Sequence, residues 1–257
     1  MSRLQYLESY ASYYGTGHLG ELERFPLVIL QPGQYTPGEI ETLRAGGTIT
    51  LGYLSLGEDN ALVDGAPWYL RTAAGDPRIN SDWQTYYIDT RHPAWRQHVL
   101  STRIPAILAQ GRFDGLFLDT LDSQDLFPEI RSGSIAIVHA IRASYPNALL
   151  VANRGFTILE QIAPDLEGVM FESFSTYYRA GHYHNWDTLD RQYNERLADW
   201  LRRLRRTYPL AILALDYALP GDKASIEYAV GRARAHGFIP YVTTANLDQL
   251  YYVPDTT

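Results

Sequence analysis

Three apolar runs in this sequence each finish on a carboxylate. Phe113-Asp114-Gly115-Leu116-Phe117-Leu118-Asp119 leads into Thr120-Leu121-Asp122, Gly168-Val169-Met170-Phe171 leads into Glu172, and Ile212-Leu213-Ala214-Leu215 leads into Asp216. Burying an unpaired carboxylate is costly, so a mere scaffold gains nothing from three of them. For one strand-end acid alone, pairing with an arginine or capping the next helix explains it as well as function does. The set favours function. Hydrolysis of a glycosidic bond needs two such groups, one to protonate the leaving oxygen and one to attack the anomeric carbon or activate water. Asp119 and Glu172 are the candidate catalytic pair. Asp114 precedes a glycine at the start of its run, the place of a turn residue, and is assigned a structural role.

The elements around these acids follow a regular rhythm. Short apolar runs at 10–14, 27–31, 49–56, 86–89, 115–121, 148–153, 168–174, 211–217 and 238–243 alternate with longer stretches of helical period, as βαβ units do. No helix fits between 49–56 and 86–89, so 86–89 becomes an extra short strand in the loop after the third barrel strand, and eight runs remain. Amphipathic helices are expected at 93–110, 132–145, 189–208 and 223–236. The runs are near-continuously apolar, as parallel strands covered on both faces are. A doubly wound open sheet would usually carry a glycine-rich phosphate turn after its first strand, and neither GxGxxG nor the P-loop pattern occurs. The expected fold is α/β, a closed (β/α)8 TIM barrel, with residues 1–257 as one domain; such barrels take roughly 250 residues. Strand C-terminal ends face the active site in this architecture, which would gather the strand-end acids in one cleft.

Composition narrows the ligand. The chain has 46% hydrophobic and 20% charged residues, enough apolar material for a large core. It has no cysteine, which excludes disulfides, a thiolate nucleophile and cysteine-ligated zinc. A net charge of −7 argues against nucleic acid and for a neutral or cationic ligand. No stretch approaches the ~20 apolar residues of a membrane span, and the first residues lack a signal-peptide run. A soluble monomer is expected, cytoplasmic unless a leader was removed, in which case secreted or in the cell envelope. Twenty tyrosines and five tryptophans exceed what a core needs, so some should line a groove.

Tyr53, Tyr87, Tyr178, Tyr217 and Tyr241 each offer a flat face for a pyranose ring and a hydroxyl to bond it. Tyr53 and Tyr217, at or near strand ends, are favoured and expected to be partly exposed. Asn153 and Arg154 follow the fifth barrel strand, where an amide can orient a carboxylate or a sugar hydroxyl. Glu58 and Asp122 are further candidate cleft residues. The His182 and His184 pair suggests a metal, but it lies after Glu172, away from the strand-end acids, so no metal and no cofactor is expected. Arg202, Arg203, Arg205 and Arg206 read as the solvated face and basic end of a helix.

In the order of the chain, Gly52-Tyr53-Leu54-Ser55-Leu56-Gly57-Glu58, Tyr87-Ile88-Asp89, the run 113–119, Ala152-Asn153-Arg154-Gly155-Phe156, Phe171-Glu172-Ser173 and Leu215-Asp216-Tyr217-Ala218 resemble the endo-α-1,4-polygalactosaminidase family, glycoside hydrolase family 114. Residues 8–15 match its Trp-rich start only loosely. The resemblance implies a catalytic Asp at the end of the fourth strand and a Glu at the end of the sixth, which are Asp119 and Glu172. It also implies that Tyr53, Asn153, Asp216 and Tyr217 line the subsites, and that a galactosamine-containing polysaccharide is the substrate. A barrel that binds carbohydrate without cleaving it, and a metal-dependent hydrolase or deacetylase, stand as alternatives. Retention is the expected outcome, with Asp119 as nucleophile, its charge stabilised by the Thr120 hydroxyl. Glu172 is the expected acid/base, its pKa raised by Phe171 and Phe174 on either side.

Overall fold

The computed structural model describes residues 3–250. Eight parallel strands form one sheet in the order of the chain: β1 (Ala11–Tyr13), β2 (Leu27–Leu30), β3 (Ile49–Ser55), β4 (Gly115–Asp119), β5 (Leu149–Asn153), β6 (Gly168–Glu172), β7 (Ala211–Tyr217) and β8 (Ile239–Thr243). Adjacent strands pair in parallel from β1 to β8. The sheet curls into a nearly closed (β/α)8 barrel. At the seam between β8 and β1, the Tyr14 N–H donates to Leu247 O at 2.7 Å, and the Tyr10 ring sits 5.5 Å from that of Tyr241.

The sequence signals account for the helices. Thr36 and Glu39 form a reciprocal capping box, with Pro37 at the first position of helix Pro37–Ala45. Asp187 accepts from the N–H groups of Leu189 and Asp190 to start Thr188–Thr207, and Asp222 accepts from Ser225 to start Lys223–Ala235. Arg205 and Arg206 lie in the last turn of Thr188–Thr207, as expected of a basic helix end. The expected helix 93–110 is divided. An α-helical start, Pro93–His98, widens into π turns at Val99–Arg103 and Ala106–Gln110. Pro105 lies between the π turns, where its missing N–H cannot continue the α ladder. Among the described residues, no helix is long and apolar enough to cross a membrane.

Two insertions crown the C-terminal end of the barrel. The extra strand after β3 is present as Thr85–Tyr87, the middle of a three-stranded antiparallel sheet with Glu58–Asp59 and Ile79–Asn80. Its two companions are too short to leave a periodic signal. After β6, Thr176–Arg179 and His182–Asn185 form an antiparallel hairpin, on which His182 and His184 are exposed. Asp114 has the structural role expected of it: its carboxylate accepts from the Thr50 N–H and hydroxyl and pairs with Arg44 at 2.7 Å, tying β3 to the helix before it.

Candidate active site

Strand side chains alternate between the two faces of a sheet, so only every second residue of a barrel strand points inward. Tyr53 and Ser55 of β3, Phe117 and Asp119 of β4, Met170 and Glu172 of β6, and Leu215 and Tyr217 of β7 obey this parity. All of them line a cleft of about 1050 Å³ at the C-terminal end. Asn153, the last residue of β5, stands between the two acids.

The Asn153 Nδ2 donates to Asp119 Oδ1 and to Glu172 Oε2, both at 2.8 Å. Two bonds of that length meeting on one nitrogen hold the accepting oxygens at most about 5.6 Å apart. The amide orientation is fixed by its partners, since a flipped amide would aim its oxygen at two anions. Tyr217 OH donates to the other Glu172 oxygen at 2.7 Å, and Tyr53 OH bonds the Asp119 carboxylate. Burial, followed by the nearby Glu172 charge, pushes Asp119 above the usual carboxylate range, while bonds from Asn153, Tyr53 and the Thr120 N–H hold it down. Burial drives the Tyr53 and Tyr217 hydroxyls far up, and the adjacent carboxylates add to the effect, so both remain donors.

The chain turns sharply behind each of these groups. Thr120, Arg154 and Ser173, which follow Asp119, Asn153 and Glu172, have φ of 60°, 51° and 58°. A left-handed residue is unfavourable for anything but glycine, so these three turns hold local strain just behind the reacting groups. The Thr120 hydroxyl serves this turn. It donates to Asp119 O, accepts from the Leu56 and Gly57 N–H groups, and lies 2.8 Å from Ser55 Oγ. It does not stabilise the Asp119 carboxylate, contrary to the sequence expectation; the Thr120 backbone does. The expected apolar walls of Glu172 are also elsewhere. Phe171 and Phe174 are buried against each other, with Phe171 also packing on Phe156, because Phe171 has the opposite parity to Glu172.

Three further expectations are corrected by parity and depth. Asp216 is 1% exposed and faces away from the cleft, where it accepts from the N–H groups of Ser175 and Thr176. It shapes the loop after Glu172 and contacts no subsite. Tyr241 points into the barrel but lies two residues short of the end of β8. It is fully buried against Tyr10 and Phe25 and is core. Tyr217 lines the cleft, yet at 7% exposure it is a hydroxyl donor and no free platform. Tyr53 is partly exposed, as expected. Tyr87 lines the cleft, and Tyr178 stands exposed on the hairpin.

Glu58, Asp122 and Arg154 all line the cleft. Arg154 Nε lies 3.2 Å from Asp122 Oδ2. Burial pushes Asp122 up to about 6 against the pull of Arg154; with 41% of its side chain open, cleft water screens much of this. Sequence reasoning missed Tyr14, Asn80, Trp83, Thr85, Arg103 and Asn246, which also line the cleft. Tyr14 could have been found, since it ends the first apolar run, and its ring meets that of Tyr53 edge-on at 5.4 Å. Asn80 and Thr85 sit on the short strands of the small sheet, Arg103 ends the first π turn, and Trp83 and Asn246 lie on loops.

An eight-stranded parallel barrel with two carboxylates bridged at the C-terminal ends of β4 and β6 is the frame of a glycoside hydrolase. The chain belongs to glycoside hydrolase family GH114, whose family model matches residues 29–257. It is similar to the glycoside hydrolase domain of PelA from Pseudomonas aeruginosa, at 28% identity and a TM-score of 0.84, over 96% of this chain and 98% of that one. It shares the fold of Ega3 from Aspergillus fumigatus, solved in complex with galactosamine, at 14% identity and a TM-score of 0.68 over 96% of both chains. An uncharacterised protein of Deinococcus radiodurans is 28% identical over 97% of this chain and 83% of its own length.

Proposed function

We propose that this glycoside hydrolase cleaves within an α-1,4-linked galactosamine-containing polysaccharide with retention of configuration, Asp119 acting as nucleophile and Glu172 as acid/base. The observation that carries the mechanism is the shared Asn153 nitrogen, which keeps one oxygen of each carboxylate, Asp119 Oδ1 and Glu172 Oε2, within about 5.6 Å of the other. Retaining enzymes hold their carboxyl groups about 5–5.5 Å apart, whereas inverting ones need about 6.5–9.5 Å to admit a water. In the first step an Asp119 oxygen bonds to the anomeric carbon as the glycosidic bond breaks, and the Glu172 proton passes to the leaving oxygen. In the second, Glu172 takes a proton from water, whose oxygen bonds to the anomeric carbon and releases Asp119. Burial and the Glu172 charge raise Asp119, and the donors Asn153, Tyr53 and the Thr120 N–H act against them, toward the ionised form a nucleophile needs.

The substrate reading rests on charge and on kinship. The cleft is lined by five carboxylates, Glu58, Asp119, Asp122, Asp125 and Glu172, against two guanidiniums, Arg103 and Arg154. That balance favours a cationic polymer. Galactosamine bound to the structural relative Ega3 supports the same substrate. Action within a chain is supported by lining that runs from Trp83 on one side to 245–247 beyond β8 on the other.

The test is incubation with deacetylated galactosaminogalactan beside a panel of other glycans, with mass spectrometry of the products and proton NMR of the anomer first released. Galactosamine oligomers, initially of retained configuration, are expected. Asp119→Asn and Glu172→Gln should each lose at least about 100-fold in kcat while still binding oligosaccharide. An inverted first product would refute Asp119 as nucleophile.

A further inference from the structure

Of the carboxylates in the cleft, Glu58 is held in a distinctive way. It is 8% exposed, and its oxygens accept from Asn80 Nδ2 at 3.1 and 3.3 Å, from Thr85 Oγ1 at 2.5 Å and from Ser123 Oγ at 3.5 Å. All of these donors are neutral. Among the described residues, no Lys, Arg or His lies within ion-pair distance of it. Asp122, in contrast, has Arg154 beside it. A buried carboxylate without a cation is costly, and neutral donors offset only part of that cost. Asp119 and Glu172 bear the same cost because the reaction uses them; Glu58 is not bonded to either.

The small sheet whose residues hold Glu58 also carries an aromatic platform into the same cleft. Asn80 and Thr85 belong to the small sheet after β3, and the turn between them carries Trp83, which is 67% exposed and lines the cleft. A flat apolar ring open to the cleft suits the face of a sugar. Behind Glu58, its backbone carbonyl accepts from Ser55 Oγ, which lies against Thr120, the residue after Asp119. The backbone that carries Glu58 is therefore tied to the end of the catalytic strand.

We infer that Glu58 and Trp83 form a subsite for an amino sugar, in which the Glu58 carboxylate accepts the 2-ammonium group and the Trp83 ring supports the pyranose. The inference rests on the galactosamine reading above and narrows it to a residue. A free ammonium supplies the cation that Glu58 lacks; an N-acetyl group supplies no charge and adds bulk. Glu58 thus reads the amine, while Trp83 reads the ring whatever its substituent.

The experiment uses the Asp119→Asn protein, so that binding is read without turnover, and titrates it calorimetrically with α-1,4-galactosamine and α-1,4-N-acetylgalactosamine tetramers. The expected result is a preference for the amine form that falls ten-fold or more when Glu58→Gln is added, since a charge-assisted hydrogen bond is lost. Trp83→Ala should weaken both ligands alike and leave the ratio in place. If Glu58→Gln weakens both tetramers equally or neither, the subsite assignment is wrong while the galactosamine reading stands. If the Asp119→Asn protein binds neither tetramer, both fail. Should Glu58→Gln not fold, Asn80→Ala on the surface strand loosens the same carboxylate. A three-fold or larger fall in preference is then expected, and an unchanged ratio refutes the assignment.

Discussion

Burial and Glu172 raise Asp119 while Tyr53 and Asn153 oppose them, and the pH dependence of activity should report that balance. Asp119 must be ionised to attack, so its protonation sets the acid limb of kcat/KM. Its folded pKa is raised by burial and by Glu172, and lowered by the Tyr53 and Asn153 bonds. Tyr53→Phe removes a bond to the charged form alone, so the pKa rises further and the acid limb moves to higher pH, by about 0.5–1 if the bond is worth about 1 kcal/mol. A pH–rate profile of the two proteins checks this; an unmoved limb would detach Tyr53 from the titration of Asp119. At this scale the sequence was informative where an acid ended an apolar run, which is how Asp119 and Glu172 stood out. It misled where two consecutive strand residues, Asp216 and Tyr217, were both placed in the cleft. Alternation allows only one of them to face it, and the bond from Tyr217 to Glu172 shows which. The bridge by Asn153 was foreseen only as a general capacity of an amide to orient a carboxylate, because which oxygens it meets depends on the register of three strands.

Elements were legible to the extent that they were periodic. The barrel strands and the helices Arg131–Ser144, Thr188–Thr207 and Lys223–Ala235 fall within one or two residues of their expected bounds, because their apolar pattern marks them and, for the last two helices, Asp187 and Asp222 cap the start. The left-handed turns at Thr120, Arg154 and Ser173 left no trace, since none of the three is the glycine that usually announces such a conformation. Gly57 is the reverse case, a glycine required by proximity with no positive φ. A Cβ on it would stand 2.3 Å from the Thr120 carbonyl oxygen and 2.7 Å from Ser123 Oγ. The first of these neighbours is backbone and cannot swing aside. Gly57→Ala is therefore expected to separate the β3 and β4 ends, lowering stability by about 1–3 kcal/mol and activity more than Tyr53→Phe does. Urea denaturation and kcat/KM measured together check it. A variant with full stability and full activity would mean that the two strand ends are free to part.

Over the whole molecule the carboxylates that shape the site also set how stability follows pH, and Asp216 gives the clearest case. It is fully enclosed, and burial raises it to about 6, with the Thr176 and Ser175 N–H groups and Arg232 pulling the other way. A folded-state pKa above the unfolded value means that the folded chain holds the proton more tightly. The contribution is complete below about pH 4, where Asp216 is protonated in both states, and it is lost as pH rises through about 6, where folding must enclose a charge. A gap from 3.8 to about 6 corresponds to at most about 3 kcal/mol. Asp216→Asn keeps an oxygen to accept the two N–H bonds and cannot ionise. The difference in unfolding free energy between the natural protein and this variant should therefore fall steadily between pH 4 and 7, other carboxylates cancelling in the subtraction. Urea denaturation at pH 4, 5, 6 and 7 reads that difference directly. A flat difference would mean that the donors around Asp216 compensate its burial in full. A rising one would mean that they and Arg232 overcompensate, making Asp216 an anion the fold requires.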